Sequence, residues 1–209
     1  MLMRNGIAGL LMLALAGCGG EGTNTGGDST NFGDNNPQVV VALGDSIVAG
    51  VEGGGTPWPA RLSALSGKRV INAGVGGEES IGALSRCSRL LSAYKPGYLL
   101  ILTGANDAIM RYSTDNAVAN IRAMVQMAKA NGTVPVVATL LPMIGEHSIF
   151  DSAAQRISAG VGSVAGVEGV AMVDLHGEFG EPAGLLIGDG LHPNDAGNQI
   201  IALAFNDAL

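Results

Sequence analysis

A parallel α/β sheet with helices on both faces is the fold class the sequence predicts, and three observations predict it. Short, continuously apolar runs rich in β-branched residues recur along the 209-residue chain, as strands buried on both faces require. Segments of helical periodicity separate these runs, the alternation that builds parallel sheets. Several runs end in Gly, Asn or Asp, so their loops open at one sheet edge. The length and 47% hydrophobic residues suffice for one domain with one core. The net charge of -7, with Lys and Arg scattered, excludes the basic footprint that a nucleic acid partner needs.

The first residues read as a targeting segment. Arg4 lies in a short n-region, an apolar run covers 6–16, and the segment closes on Leu15-Ala16-Gly17-Cys18. That run is too short to span a bilayer as a helix. Its end resembles the bacterial lipoprotein box, in which the cysteine becomes the first mature residue and carries lipid. The resemblance implies a signal peptide over 1–17 and lipidation of Cys18, where each buried methylene contributes about 0.8 kcal/mol of membrane affinity. Residues 18–37 are mostly Gly, Asn, Thr, Ser and Asp and are expected to form a flexible tether to a domain over 38–209.

Within that domain, residues 39–43 form the first expected strand, and Gly44-Asp45-Ser46 delivers a serine to the edge where open α/β sheets bind ligands. Taken alone, Ser46 suits a helix cap equally well. Trp58, Leu62 and Leu65 share one helical face. A second strand over 69–73 runs into Gly74-Val75-Gly76-Gly77, a loop whose backbone N–H groups can approach a ligand closely. The next helix, about 80–94, is expected to bury Ile81, Leu84, Ser88 and Leu91, with Cys87 beside them as a core thiol.

Residues 97–102 make the third strand and end in Thr103-Gly104-Ala105-Asn106-Asp107. The Asn106 amide is a candidate donor, although Asn and Asp also form local turns in such loops. A helix capped by Ser113 or Thr114 carries Val118, Ile121, Val125 and Ala128 inward and stops at Asn131-Gly132. A fourth strand over 134–141, a loop over 142–147, a glycine-weakened helix over 150–165 and a fifth strand over 170–175 follow. His147 and His176 read as ordinary loop residues.

The final loop holds Gly188-Asp189-Gly190-Leu191-His192-Pro193. Three residues from His192, Asp189 can accept a hydrogen bond from one ring nitrogen and leave the other free as a base. Pro193 fixes the entry to the last helix. Ser46, Gly77, Asn106, Asp189 and His192 thus gather in loops near one edge, the inventory for acyl transfer: a nucleophile, its base and donors for an oxyanion.

Gly44-Asp45-Ser46, the glycine loop ending at Gly77, Gly104-Ala105-Asn106-Asp107 and Asp189-Gly190-Leu191-His192-Pro193 resemble, in order and spacing, the four sequence blocks of SGNH (GDSL-type) hydrolases. The resemblance covers residues 39–209 and is greatest to the small bacterial arylesterase and lysophospholipase/thioesterase branch. It implies a flavodoxin-like three-layer sandwich with a five-stranded parallel sheet. It makes Ser46 the nucleophile, His192 the base and Asp189 its orienter, with Ser46, Gly77 and Asn106 as the oxyanion hole; Gly74 and Gly76 compete with Gly77. Ile47 stands where the family often has Leu. The expected activity is that of a serine esterase on a small lipid, aryl or acetylated-sugar ester, without cofactor or metal, held at the bacterial cell envelope through Cys18 on the periplasmic or surface face of a membrane. The alternatives are a carbohydrate O-acetylesterase and a non-catalytic envelope binding lipoprotein.

Overall fold

A computed structural model describes residues 31–50, 52–53 and 55–209. The expected signal peptide, Cys18 and the tether up to residue 30 lie outside the described residues. The strands are β1 (Asn36–Gly44), β2 (Arg69–Gly74), β3 (Pro96–Leu102), β4 (Val134–Ala138) and β5 (Ala171–Val173). They form one sheet in the order β2-β1-β3-β4-β5, with every pair parallel. The predicted five-stranded α/β sheet is therefore the observed one. The interior strands are the most apolar: β3 is buried throughout, and Val40 to Leu43 of β1 are wholly inaccessible. The edge strands β2 and β5 keep exposed positions.

The helices are α1 (Ser46–Ala49), α2 (Trp58–Ser66), α3 (Ser80–Tyr94), α4 (Ala105–Ile109), α5 (Thr114–Ala130), α6 (Ser148–Glu168), α7 (Leu175–Phe179) and α8 (Asp195–Asn206). α2 packs on α8, where the Trp58 ring stacks on Phe205 at 4.8 Å and the Trp58 backbone N–H donates to Asn198 Oδ1 at 3.0 Å. α5 lies between α3 and α6 in a second group. At Gly160 of α6, an added Cβ would stand 2.3 Å from Val118 Cγ2, so the absent side chain lets α5 and α6 meet closely. Among the described residues no helix is long and apolar enough to cross a membrane.

Several boundaries differ from expectation. β1 starts at Asn36, and residues assigned to the tether lie against the body: Phe32 contacts the Tyr98 ring at 5.3 Å and Asn35 Nδ2 donates to the Asn131 carbonyl at 2.7 Å. The inner stripe of α3 is Ser80, Ala83, Cys87 and Leu91, whereas Ile81 is 58% exposed and Ser88 faces solvent. The helix is turned by Ser80, a polar residue buried because it pairs with Asp107. Leu65 of α2 is exposed as well. β4 and β5 are shorter than their apolar runs because Thr139 to Met143 and Leu175 are buried outside the ladder. α6 runs from Ser148 to Glu168 despite its internal glycines.

Candidate active site

The strand order places a switch point beside β1, whose chain neighbours in the sheet, β2 and β3, lie on opposite sides. Open α/β sheets bind ligands outside the carboxyl ends at such a point. Gly44 pairs with Gly74 on one side and with Leu102 on the other, so three chains leave the sheet at one level. Gly44 has to be glycine: a Cβ there would lie 1.8 Å from the Leu102 carbonyl oxygen.

Immediately after Gly44, Asp45 caps α1. Its Oδ1 accepts from the Ile47 N–H at 3.0 Å, and Ser46 becomes the first helical residue. In that position the Ser46 N–H has no partner within the helix ladder. The second carboxylate oxygen of Asp45 is buried without a hydrogen-bond partner. Burial first, then the nearby Asp107 and Glu78 carboxylates, outweigh the Ile47 hydrogen bond and lift the Asp45 carboxyl to about 7.

Ser46 Oγ lies 2.8 Å from His192 Nε2, and His192 Nδ1 lies 2.6 Å from Asp189 Oδ2. Asp189 Oδ1 accepts the N–H groups of Leu191 and His192 at 2.9 and 3.1 Å. Burial pushes the Asp189 carboxyl up, but the hydrogen bonds from His192 and from these two backbone groups together hold it below the ordinary carboxylate value. An ionised Asp189 can only accept. The proton therefore sits on Nδ1 of His192, leaving Nε2 to accept from the Ser46 hydroxyl.

The block-two loop separates the three competing glycines. The Gly74 N–H is used by Asn72 Oδ1 at 2.9 Å, and a Cβ at Gly74 would meet Ala49 N at 2.1 Å. Gly76 and Gly77 face open space, Gly77 has φ 72°, and neither amide donates a hydrogen bond among the described residues. Asn106, in the first turn of α4, donates from Nδ2 to the Glu78 carbonyl at 3.1 Å. One of its two amide protons is thereby spent and one is left over. The neighbouring Asp107 is buried and accepts from both the Ser80 N–H (2.8 Å) and Ser80 Oγ (2.7 Å), while Asn120 Nδ2 donates to Ser80 Oγ at 2.9 Å. This network ties the start of α3 to α4 and α5.

The sequence reading missed three side chains around these loops. His147 Nδ1 donates to the Asp189 carbonyl at 2.8 Å, and the Ile144 N–H donates to the Gly190 carbonyl at 2.9 Å, so the 142–147 loop braces the acid–base loop. Glu78 and Arg86 form an ion pair with side chains only 12% and 14% exposed. No local pattern marked these partners. His176 lies in α7, and its N–H donates to Thr139 Oγ1.

A doubly wound sheet bearing a hydrogen-bonded Ser-His-Asp series at its carboxyl edge defines a hydrolase of the acyl-transferring kind. The chain belongs to the GDSL-like lipase/acylhydrolase family, whose profile matches residues 42–200. It is 31% identical over 166 residues to the esterase TesA of Pseudomonas aeruginosa, covering 75% of this chain and 80% of that one. It is 27% identical over 158 residues to the uncharacterized lipoprotein YqeF of Bacillus subtilis, covering 68% and 59%. A crystal structure of TesA superposes with a TM-score of 0.69 at 27% identity, over 82% of this chain and 99% of that chain.

Proposed function

We propose that this hydrolase is a serine esterase that cleaves carboxylic esters through an acyl-enzyme, resembling the arylesterases and lysophospholipases. The observation that carries the reading is the relay of 2.8 Å and 2.6 Å from Ser46 through His192 to Asp189. Ser46 Oγ attacks the ester carbonyl as its proton passes to His192 Nε2. Asp189 stabilises the imidazolium through Nδ1 and keeps the ring oriented. The imidazolium then protonates the departing alkoxide; in the second half-reaction His192 takes a proton from water as the water oxygen bonds to the acyl carbon, and returns it to Ser46 Oγ as the Ser46–acyl bond breaks and the acid leaves. The Ser46 and Gly77 amides and the spare proton of Asn106 Nδ2 receive the oxyanion, and loss of one such donor typically costs about 100- to 1000-fold in turnover. The esterase name of the Pseudomonas relative supports this chemistry.

The domain is proposed to be held at the cell envelope by lipid on Cys18, after removal of 1–17, with the chain between Cys18 and the folded body as spacer. The lipoprotein name of the Bacillus relative supports an anchor. A carbohydrate O-acetylesterase is the second reading. It is motivated by a groove of about 380 Å³ beside Asp107, where the exposed ring of Tyr112 stands among Ile81, Ser113, Asn116, Ala119 and Asn120, a mixed lining that can meet both the apolar face and the hydroxyls of a sugar. Hydrolysis of p-nitrophenyl esters from acetyl to long acyl chains, wild type against Ser46→Ala, tests both. Turnover lost in the variant is expected. A profile confined to acetyl selects the deacetylase, and no turnover above the variant on any ester overturns the esterase.

A further inference from the structure

Glu78 follows the candidate oxyanion donor Gly77, and its two ends reach different parts of the site. Its carbonyl accepts Asn106 Nδ2, while its carboxylate receives Arg86 Nε at 2.8 and 3.1 Å and Arg86 Nη2 at 2.7 Å. Arg86 Nη2 also donates to the Gly44 carbonyl at 3.1 Å, and that same oxygen accepts the Val75 N–H at 3.0 Å. One guanidinium therefore binds the end of the strand that delivers Ser46 to the loop that carries Gly77. Gly82, in the first turn of α3, leaves room for this: a Cβ there would stand 2.6 Å from Glu78 Cγ.

Stability alone is a poor account of such a pair. Replacing a largely buried ion pair with packed apolar groups is often neutral or stabilising, whereas a forked Arg–carboxylate pair fixes geometry. We propose that Glu78 and Arg86 are positioning residues that set the spacing among the Ser46 amide, the Gly77 amide and the Asn106 side chain. The proposal rests on the esterase reading above. The pair touches no reacting atom. It acts on the transition state because donors aimed at the oxyanion gain most when charge develops there, and a misplacement of about 1 Å can cost on the order of 100-fold.

The test uses the full chain with active sites counted by a fluorophosphonate probe, and compares wild type, Glu78→Gln, Arg86→Lys and Gly82→Ala. Glu78→Gln is expected to lower kcat per active site about 10- to 100-fold, with KM for p-nitrophenyl acetate within about twofold. Affinity for an alkyl boronic acid, which forms a tetrahedral adduct on Ser46, should fall by a similar factor. Arg86→Lys should retain part of the activity through its remaining charge. Gly82→Ala displaces Glu78 without changing either charge, because its methyl would stand 2.6 Å from Glu78 Cγ; kcat per counted active site should fall while the helical circular dichroism at assay temperature stays that of wild type. Unchanged kcat in Glu78→Gln and in Gly82→Ala, or losses confined to melting temperature, would overturn the clamp alone. A wild-type chain that turns over no ester would overturn the esterase reading and the clamp with it.

Discussion

At the residue scale, charge state decides what the final loop can do. Asp189 is held ionised by three hydrogen bonds, so Asp189→Asn removes the acceptor that fixes the proton on Nδ1 and offers a donor in its place. Turnover should fall by about 10,000-fold with little change in KM, measured on p-nitrophenyl acetate. Asp45 has the opposite character. Its carboxyl is raised from 3.8 to about 7, so the folded chain holds a proton that the unfolded chain has released. The stability this contributes is complete below about pH 4 and is lost as pH rises to about 7. Asp45→Asn should flatten that decline, by at most about 1.4 kcal/mol per pH unit, in thermal melts between pH 4 and 8. The meeting of Ser46, Asp189 and His192 was legible because each sits in a recognisable turn at a strand or helix end. His147 and Arg86 were not, because each binds a backbone carbonyl 42 positions away, and a carbonyl has no sequence signature.

At the element scale, hydrophobic pattern reported burial more faithfully than it reported pairing. The apolar run over 134–141 is buried along most of its length, yet the ladder stops at Ala138. The face of α3 was misread because its first buried residue is Ser80, whose polarity is matched by Asp107. Glycine in α6 looked like weakness and is instead a contact. Gly160→Ala should therefore destabilise the fold by about 1–3 kcal/mol despite better helix propensity, and Val118→Ala in the same chain should recover part of that loss. Urea denaturation of both single variants and the double variant would measure the coupling; strict additivity would contradict the close approach of α5 and α6.

At the scale of the whole molecule, the folded body begins earlier than composition suggested. Polar, glycine-rich sequence hid Phe32 and Asn35, whose partners Tyr98 and Asn131 are far along the chain. A fragment of 31–209 should melt above one of 36–209, which keeps all of β1, by about 2–4 °C for each kcal/mol these contacts supply; equal melting temperatures would make the contacts incidental. The fold class was legible because a parallel sheet repeats its signal once per strand, whereas this single aromatic contact does not repeat. The hydrogen bond between Ser46 and His192 spans 146 residues, and each strand between them joins the sheet through a long crossover. Closing so wide a loop is slow relative to local helix formation. During refolding from denaturant, recovery of fluorophosphonate labelling should therefore lag recovery of helical circular dichroism, which would make the nucleophile a built-in clock for the last step of assembly.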